Sequence, residues 1–212
     1  MRSSVFKIVF LFFVVGLLVI GIKARITKSF LSDTETQTSN TISTATSFCE
    51  QKKVWTANVV IVSQGTLKNG NPINDPNRKD PTKALGPNDW VPETGTNFFS
   101  LGVGGTITLS FNSPVLDGAG ADLSFHEATN GRPTYPEEKA RVEVSRDGTT
   151  FLPIGEVTSE PGDDGVTFLD FSSTSLSSIK FVKLTDTTNF DPHAGDADGY
   201  DLDAVDGVYG CE

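Results

Sequence analysis

Beyond residue 53 the chain falls into short runs in which apolar and polar side chains alternate, parted by clusters of Gly, Pro, Asn and Asp. A period of two is the signature of a β-strand with one buried face, and such punctuation marks the turns between strands. Residues 54–63 (VWTANVVIVS) open the series with a β-branched run. In 106–112 (TITLSFN) Ile107, Leu109 and Phe111 share a face, and in 121–129 (ADLSFHEAT) Leu123 and Phe125 oppose Ser124 and His126. Residues 140–145, 151–154, 166–171, 179–184 and 202–209 follow, with Asp147-Gly148 as a hairpin signal between the first two of these. The loop 64–80 is long and polar, and DPTKALGP at 80–87 leaves room for one short helical turn. Gly102, Gly104 and Gly105 lack the Lys-Ser/Thr pair of a phosphate-binding loop and lead into a strand, so they read as a turn. With no amphipathic helix and no repeat, the pattern predicts an all-β fold, a single jelly-roll-type β-sandwich of about eight strands.

The first 47 residues break this pattern. Arg2 and Lys7 precede an apolar run over 8–22, the layout of a secretory signal. The run is short of the roughly 20 residues that span a membrane. Lys23, Arg25 and Lys28 lie just beyond it, where a translocated chain avoids positive charge, so an uncleaved anchor is the alternative. Residues 1–24 are therefore expected to be a signal peptide or signal anchor, and the protein to be exported, secreted or held at the cell surface. Residues 25–47 read as a flexible linker, because ten of the sixteen residues 32–47 are Ser or Thr and have nothing to bury. The folded domain is expected over 48–212, long enough for one core.

Charge narrows the partners. The chain carries a net −10, and from Phe48 onward 25 acidic against 12 basic side chains leave −13. A field of that sign disfavours nucleic acid and anionic membranes, and favours cations or neutral ligands. Membrane contact is left to the N-terminal segment, if uncleaved. Cys49 and Cys211 bracket the domain, and in an exported chain such a pair reads as a disulfide rather than a metal site.

Six aspartates stand within 191–206, interleaved with glycine. Counted from Asp196 their spacing fails the EF-hand register, which wants Gly at the sixth place and Glu at the twelfth. A calcium loop of another kind is expected, with Asp198, Asp201 and Asp203 as ligands, Asp196 beside them, and further oxygens from 64–80. The alternative is a solvated acidic loop. Two histidines complete the candidate chemistry: His126 is expected to be a hydrogen-bonded structural residue, and His193 lies beside the acidic cluster. No G-x-S-x-G elbow is present and no carboxylate pair stands out, so no catalytic residue is expected. Trp90 and Tyr135, both on loops, are candidate stacking faces for sugar rings.

The order of motifs resembles a known family. DPTKALGP at 80–87, FSLGVGGTITLSF at 99–111, DLSFHE at 122–127, ARVEVSRDG at 140–148, IKFVKLTD at 179–186 and DGYDLDAV at 198–205 resemble the galactose-binding-like, discoidin-like jelly-roll modules of bacterial secreted and cell-surface proteins. The resemblance covers about 80–210 and implies an eight-stranded sandwich, often with a structural calcium, whose loops at one end recognise carbohydrate. It implies a structural role for the strand-turn-strand at 144–151, and matches Asp198, Asp201 and Asp203 to the family's acidic ending. Related surface proteins often end in a sorting signal; this chain ends at Cys211-Glu212, so any anchoring is expected from the N-terminal segment. Two functions follow: a non-catalytic, calcium-stabilised module binding a glycan or cell-surface polymer, or a structural cell-surface or adhesion domain without a small ligand. A glycoside-acting enzyme is the third. Oligomeric state is not legible in the sequence.

Overall fold

Nine strands form in chain order: β1 (Lys52–Ser63), β2 (Phe99–Ser100), β3 (Thr106–Leu116), β4 (Leu123–Glu127), β5 (Glu138–Ser145), β6 (Leu152–Ser159), β7 (Val166–Leu169), β8 (Ser178–Asp186) and β9 (Asp201–Gly210). The computed structural model describes residues 52–91, 95–128, 134–159 and 165–210. The segments 1–24 and 25–47, and both Cys49 and Cys211, lie outside the described residues. Among the described residues no helix is long and apolar enough to cross a membrane. Helical structure there is confined to two single 3-10 turns, one of them Pro81–Ala84, where the sequence allowed a short turn.

The strands pair antiparallel in the order β6-β5-β8-β3-β1-β9-β4-β7, with β2 added beside β9. The two ends of that order meet: Thr167 Oγ1 donates to the Thr158 carbonyl at 3.1 Å and accepts from the Thr158 N–H at 3.3 Å. The sheet thus curls almost into closure, a jelly-roll-type sandwich with little free strand edge. Ile107, Leu109 and Phe111 of β3 and Leu123 and Phe125 of β4 are all fully buried, on the faces the alternation predicts. Each such side chain contributes about 1.5–3 kcal/mol on burial.

β9 departs from strict alternation beside the acidic stretch. His126 pairs with Ala204 but Glu127 pairs with Leu202, so Asp203 is an extra residue in β9, a β-bulge. Leu202 and Val205 consequently both enter the core, three residues apart. Alternation alone places Val205 on the same face as the aspartates, and the bulge overturns that expectation.

The fold has two poles. At one, Lys52 opens β1 opposite Gly210, which closes β9. At the other, the end of β1 and the starts of β5 and β9 converge with their loops. Because Lys52 and Gly210 are paired, the described chain ends are strand neighbours. A Cys49–Cys211 bond is the expected result in the exported protein, and peptide mapping without reductant should recover the two cysteines as one linked species. Such a link closes a loop of about 160 residues and would contribute up to about 5 kcal/mol on the chain-entropy model. Recovery of both as free thiols after oxidative export would remove the expectation.

Candidate functional site

The pole opposite the chain ends holds a cavity of about 400 Å³, lined by Asn74, Asp75, Arg78, Tyr135, Asp196 and Asp198 among others. Local sequence explains each wall. In 75–78 (DPNR), Asp75 Oδ1 accepts from the Asn77 N–H at 2.9 Å and the Asp75 carbonyl from the Arg78 N–H at 3.1 Å, a turn that Asp and Pro at its first two places favour. The Arg78 carbonyl accepts from Gln64 Nε2 and from the Ser100 N–H, each at 3.0 Å, which fixes the arginine to β2. The loop at 67–69 is stitched to the loop at 195–197 by Lys68 N–H to the Ala197 carbonyl and Asn69 N–H to the Gly195 carbonyl, both 2.9 Å. Lys68 Nζ adds a bond to the His193 carbonyl at 2.7 Å. The cavity is therefore built before any ligand arrives, and little ordering is left to do on binding.

Gly199 sets the entry to β9. Its φ of 74° is in the left-handed region, and a Cβ there would meet Asp186 Oδ1 at 2.5 Å. Asp186 needs that space: its Oδ1 accepts from the Tyr200 N–H and Thr188 Oγ1, and its Oδ2 from the Gly104 N–H. The Gly102–Gly105 turn is thus an anchor for this brace.

Behind the cavity lie four buried carboxylates, Glu127, Glu138, Asp198 and Asp201. One guanidinium stands among them: Arg78 Nη1 is 2.6 Å from Asp198 Oδ2 and 3.6 Å from Asp201 Oδ2. Asp201 Oδ1 also accepts from Ser100 Oγ. Four acids and one base leave an excess of negative charge in a low-dielectric setting. Burial, then the neighbouring Asp201, Glu127 and Asp198, push Glu138 well above the carboxylate range. Burial and Asp198 do the same to Asp201, against the pull of Arg78. Burial works to lower Arg78, yet Asp201 and Asp198 hold it above its usual value. Tyr135 OH donates to Glu138 Oε1 at 3.1 Å, and burial with that carboxyl raises the phenol. His193 and Tyr135 pack T-shaped at 5.5 Å, and His193 Nε2 donates to the Glu137 carbonyl at 3.2 Å. Its Nδ1 faces Glu138 Oε1 at 3.9 Å.

No family model matches the chain, and no curated protein does. Solved structures of similar fold do. The C-terminal domain of a chitobiase from Bacteroides fragilis is 14% identical over 78% of this chain and 99% of its own, at a TM-score of 0.45. The CBM32 module of AlyQ, solved with 4,5-unsaturated mannuronic acid, is 14% identical over 71% of this chain and 95% of its own, at 0.44. A pectin-binding carbohydrate-binding module is 14% identical over 71% and 90%, at 0.43. The mannuronic acid belongs to the AlyQ module and the pectin binding to the third protein.

The aspartates named from the sequence do not gather at one point. Asp198 and Asp201 share Arg78, and Asp196 is exposed at the cavity wall. Asp203 sits apart, its Oδ1 accepting from the Asp89 N–H at 3.4 Å. Burial lifts Asp203 to about 6 against the backbone N–H groups of Asp89 and Trp90. Asp198 and Asp201 meet at Arg78, which supplies the positive charge beside them, while Asp203 lies elsewhere. Among the described residues the one set of three acids whose oxygens close to within 4.8 Å is Asp117, Asp122 and Asp170, at the chain-end pole. There Asp122 already accepts from the Gly118 and Phe171 N–H groups.

Of the two aromatic candidates, Tyr135 lines the cavity and Trp90 does not. Asn74 and Asp75 belong to the loop 64–80 in which oxygens were expected, whereas Arg78 was missed by sequence reasoning, which looked there for oxygens only. A lone arginine in a turn of Asn and Asp, on a chain with six clustered aspartates, was the available signal. His126 is a bonded structural residue, its Nε2 3.0 Å from Asp206 Oδ2 and its Nδ1 3.1 Å from Asn88 Nδ2. Ser124 Oγ bonds Asp206, not His126, so the trio lacks the hydroxyl-to-imidazole contact of a nucleophile.

Proposed function

We propose that this chain is an exported, non-catalytic carbohydrate-binding module and that the cavity beside Tyr135 takes the sugar. The observation that carries this reading is the composition of a preformed cavity. Three carboxylates and an amide offer acceptors for sugar hydroxyls, and one aromatic ring offers a face for the C–H side of a pyranose. The Tyr135 ring is held in place, since its hydroxyl is committed to Glu138 and its ring packs T-shaped with His193. Export rests on the basic residues and apolar run at 1–22.

A glycan array probed with the purified chain is expected to give selective binding. Tyr135→Ala should then weaken the selected glycan about tenfold, or roughly 1.4 kcal/mol, measured on protein whose circular dichroism matches the parent's. A blank array, or a Tyr135→Ala variant that binds as well as the parent, would favour the structural surface domain without a small ligand.

A further inference from the structure

We infer that the chain cuts itself at one peptide bond, Asp191–Pro192, in the loop that leads into the cavity wall. The sequence holds three Asp-Pro pairs, at 75–76, 80–81 and 191–192. In each, the acid can reach its own carbonyl carbon to close a cyclic anhydride, and the leaving nitrogen is a tertiary amide. The fold separates the three. Asp75 Oδ1 accepts from the Asn77 N–H at 2.9 Å, and Oδ2 faces Arg78 Nε at 3.9 Å. Asp80 Oδ1 accepts from the Thr82 N–H at 3.0 Å and from Thr82 Oγ1 at 2.7 Å. Both carboxyls are thus committed to the residues that follow them.

Asp191 differs on two counts. It is exposed, and among the described residues no donor reaches its carboxylate. Its carbonyl, the group to be attacked, accepts from Lys68 Nζ at 3.2 Å. The Asp75 and Asp80 carbonyls accept instead from the neutral Arg78 and Lys83 N–H groups, each at 3.1 Å. Lys68 is pinned in place, since Nζ also donates to the His193 carbonyl at 2.7 Å and its N–H to the Ala197 carbonyl at 2.9 Å. The Phe190 carbonyl accepts from the His193 N–H at 3.0 Å, so Asp191 and Pro192 form the exposed centre of a turn.

The step is an acyl transfer. An oxygen of the protonated Asp191 carboxyl bonds to the Asp191 carbonyl carbon, and charge gathers on the carbonyl oxygen beside the Lys68 ammonium. The bond to the Pro192 nitrogen breaks, that nitrogen takes the carboxyl's proton, and Asp191 is left as a cyclic anhydride. One water opens the anhydride, leaving two carboxyls on Asp191 and a free amine on Pro192. Strand β9 stays bound through its pairing with β1, β2 and β4, so the nick frees one end of the cavity wall at 194–198 and leaves the sheet joined.

The test holds the purified chain at about pH 5 and follows the three bonds in the same molecules, by mass spectrometry after reduction and denaturation. The folded chain is expected to lose Asp191–Pro192 at least about tenfold faster than the other two, as one charged donor on a developing oxyanion provides. In denaturant all three should be cut at similar rates, because Lys68 is no longer held at Asp191. Lys68→Gln, with the parent's circular dichroism, should slow the third bond to the rate of the other two, and Asp191→Ala should abolish its cleavage. Equal rates for the three bonds in the folded chain would overturn the inference. So would a preference that survives denaturant or Lys68→Gln, since local sequence rather than the fold would then set it.

Discussion

Replacing Arg78 by glutamine is expected to destabilise the domain by about 3 kcal/mol, the low end of the range for removing one partner of a buried ion pair. The low end applies because the arginine side chain is 33% exposed, while Asp198 and Asp201 are only 5% and 8% exposed. The loss comes chiefly from what stays behind. Asp198 and Asp201 would sit beside Glu127 and Glu138 with no cation, and must take up protons or pull the loops apart to reach water. For a domain of this size the melting temperature should fall by roughly 6–12 °C at pH 7. Arg78→Lys should fall between, since an ammonium keeps the charge but lacks the fork that reaches two carboxylates. A glutamine variant that melts within a degree or two of the parent would mean that these acids are already neutral. Melting both proteins after chelation, with and without millimolar calcium, tests the ion expected from the sequence. A rise in the parent would show that the fold binds calcium, and a rise confined to the variant would put it in the guanidinium's place.

The second large effect is a stability that grows on mild acidification. Asp203, Glu138 and Asp201 are all raised in the folded state, chiefly by burial. A raised group stabilises the fold most below its unfolded pKa and loses that contribution as pH climbs through the folded value. For Asp203 the window runs from the ordinary 3.8 to about 6. Asp206 has the opposite sign: burial works to raise it, but hydrogen bonds from His126 and Lys53 hold it below the usual range. Its contribution is present above its unfolded value and is lost on stronger acidification. The melting temperature should therefore peak near about pH 4–5 and decline towards pH 7. Lifting Asp203 from 3.8 to about 6 corresponds to roughly 3 kcal/mol, so Asp203→Asn should gain about 1–3 kcal/mol at pH 7 and little at pH 4. A melting curve that instead rises from pH 5 to pH 7 would contradict the burial of these carboxyls.

How far the sequence carries can be read residue by residue. The strand faces were legible because Ile107, Leu109 and Phe111, and then Leu123 and Phe125, repeat with the period of the pleat. The bulge at Asp203 was not, because a bulge is defined by the partner strand, and nothing local announces that Glu127 will face Leu202. The acidic loop was legible as a place where charge must be balanced. What balances it was not, since pairing Arg78 with Asp198 joins residues 120 apart and depends on the strand order. Tyr135 could be singled out as an aromatic on a loop, but so could Trp90, and only the three-dimensional course of the two loops separates them.

The pairing of Lys52 with Gly210 also bears on how such a domain can be mounted. Neighbouring strands lie about 5 Å apart, so entry and exit fit within the gap of an ordinary hairpin, and the module can be spliced as a guest into a surface loop of another protein. The twelve residues of β1 then act as a spacer of roughly 35 Å between the junction and the cavity. Fusion partners, purification tags or a sensor surface joined directly beside Lys52 or Gly210 would sit at the pole away from the cavity.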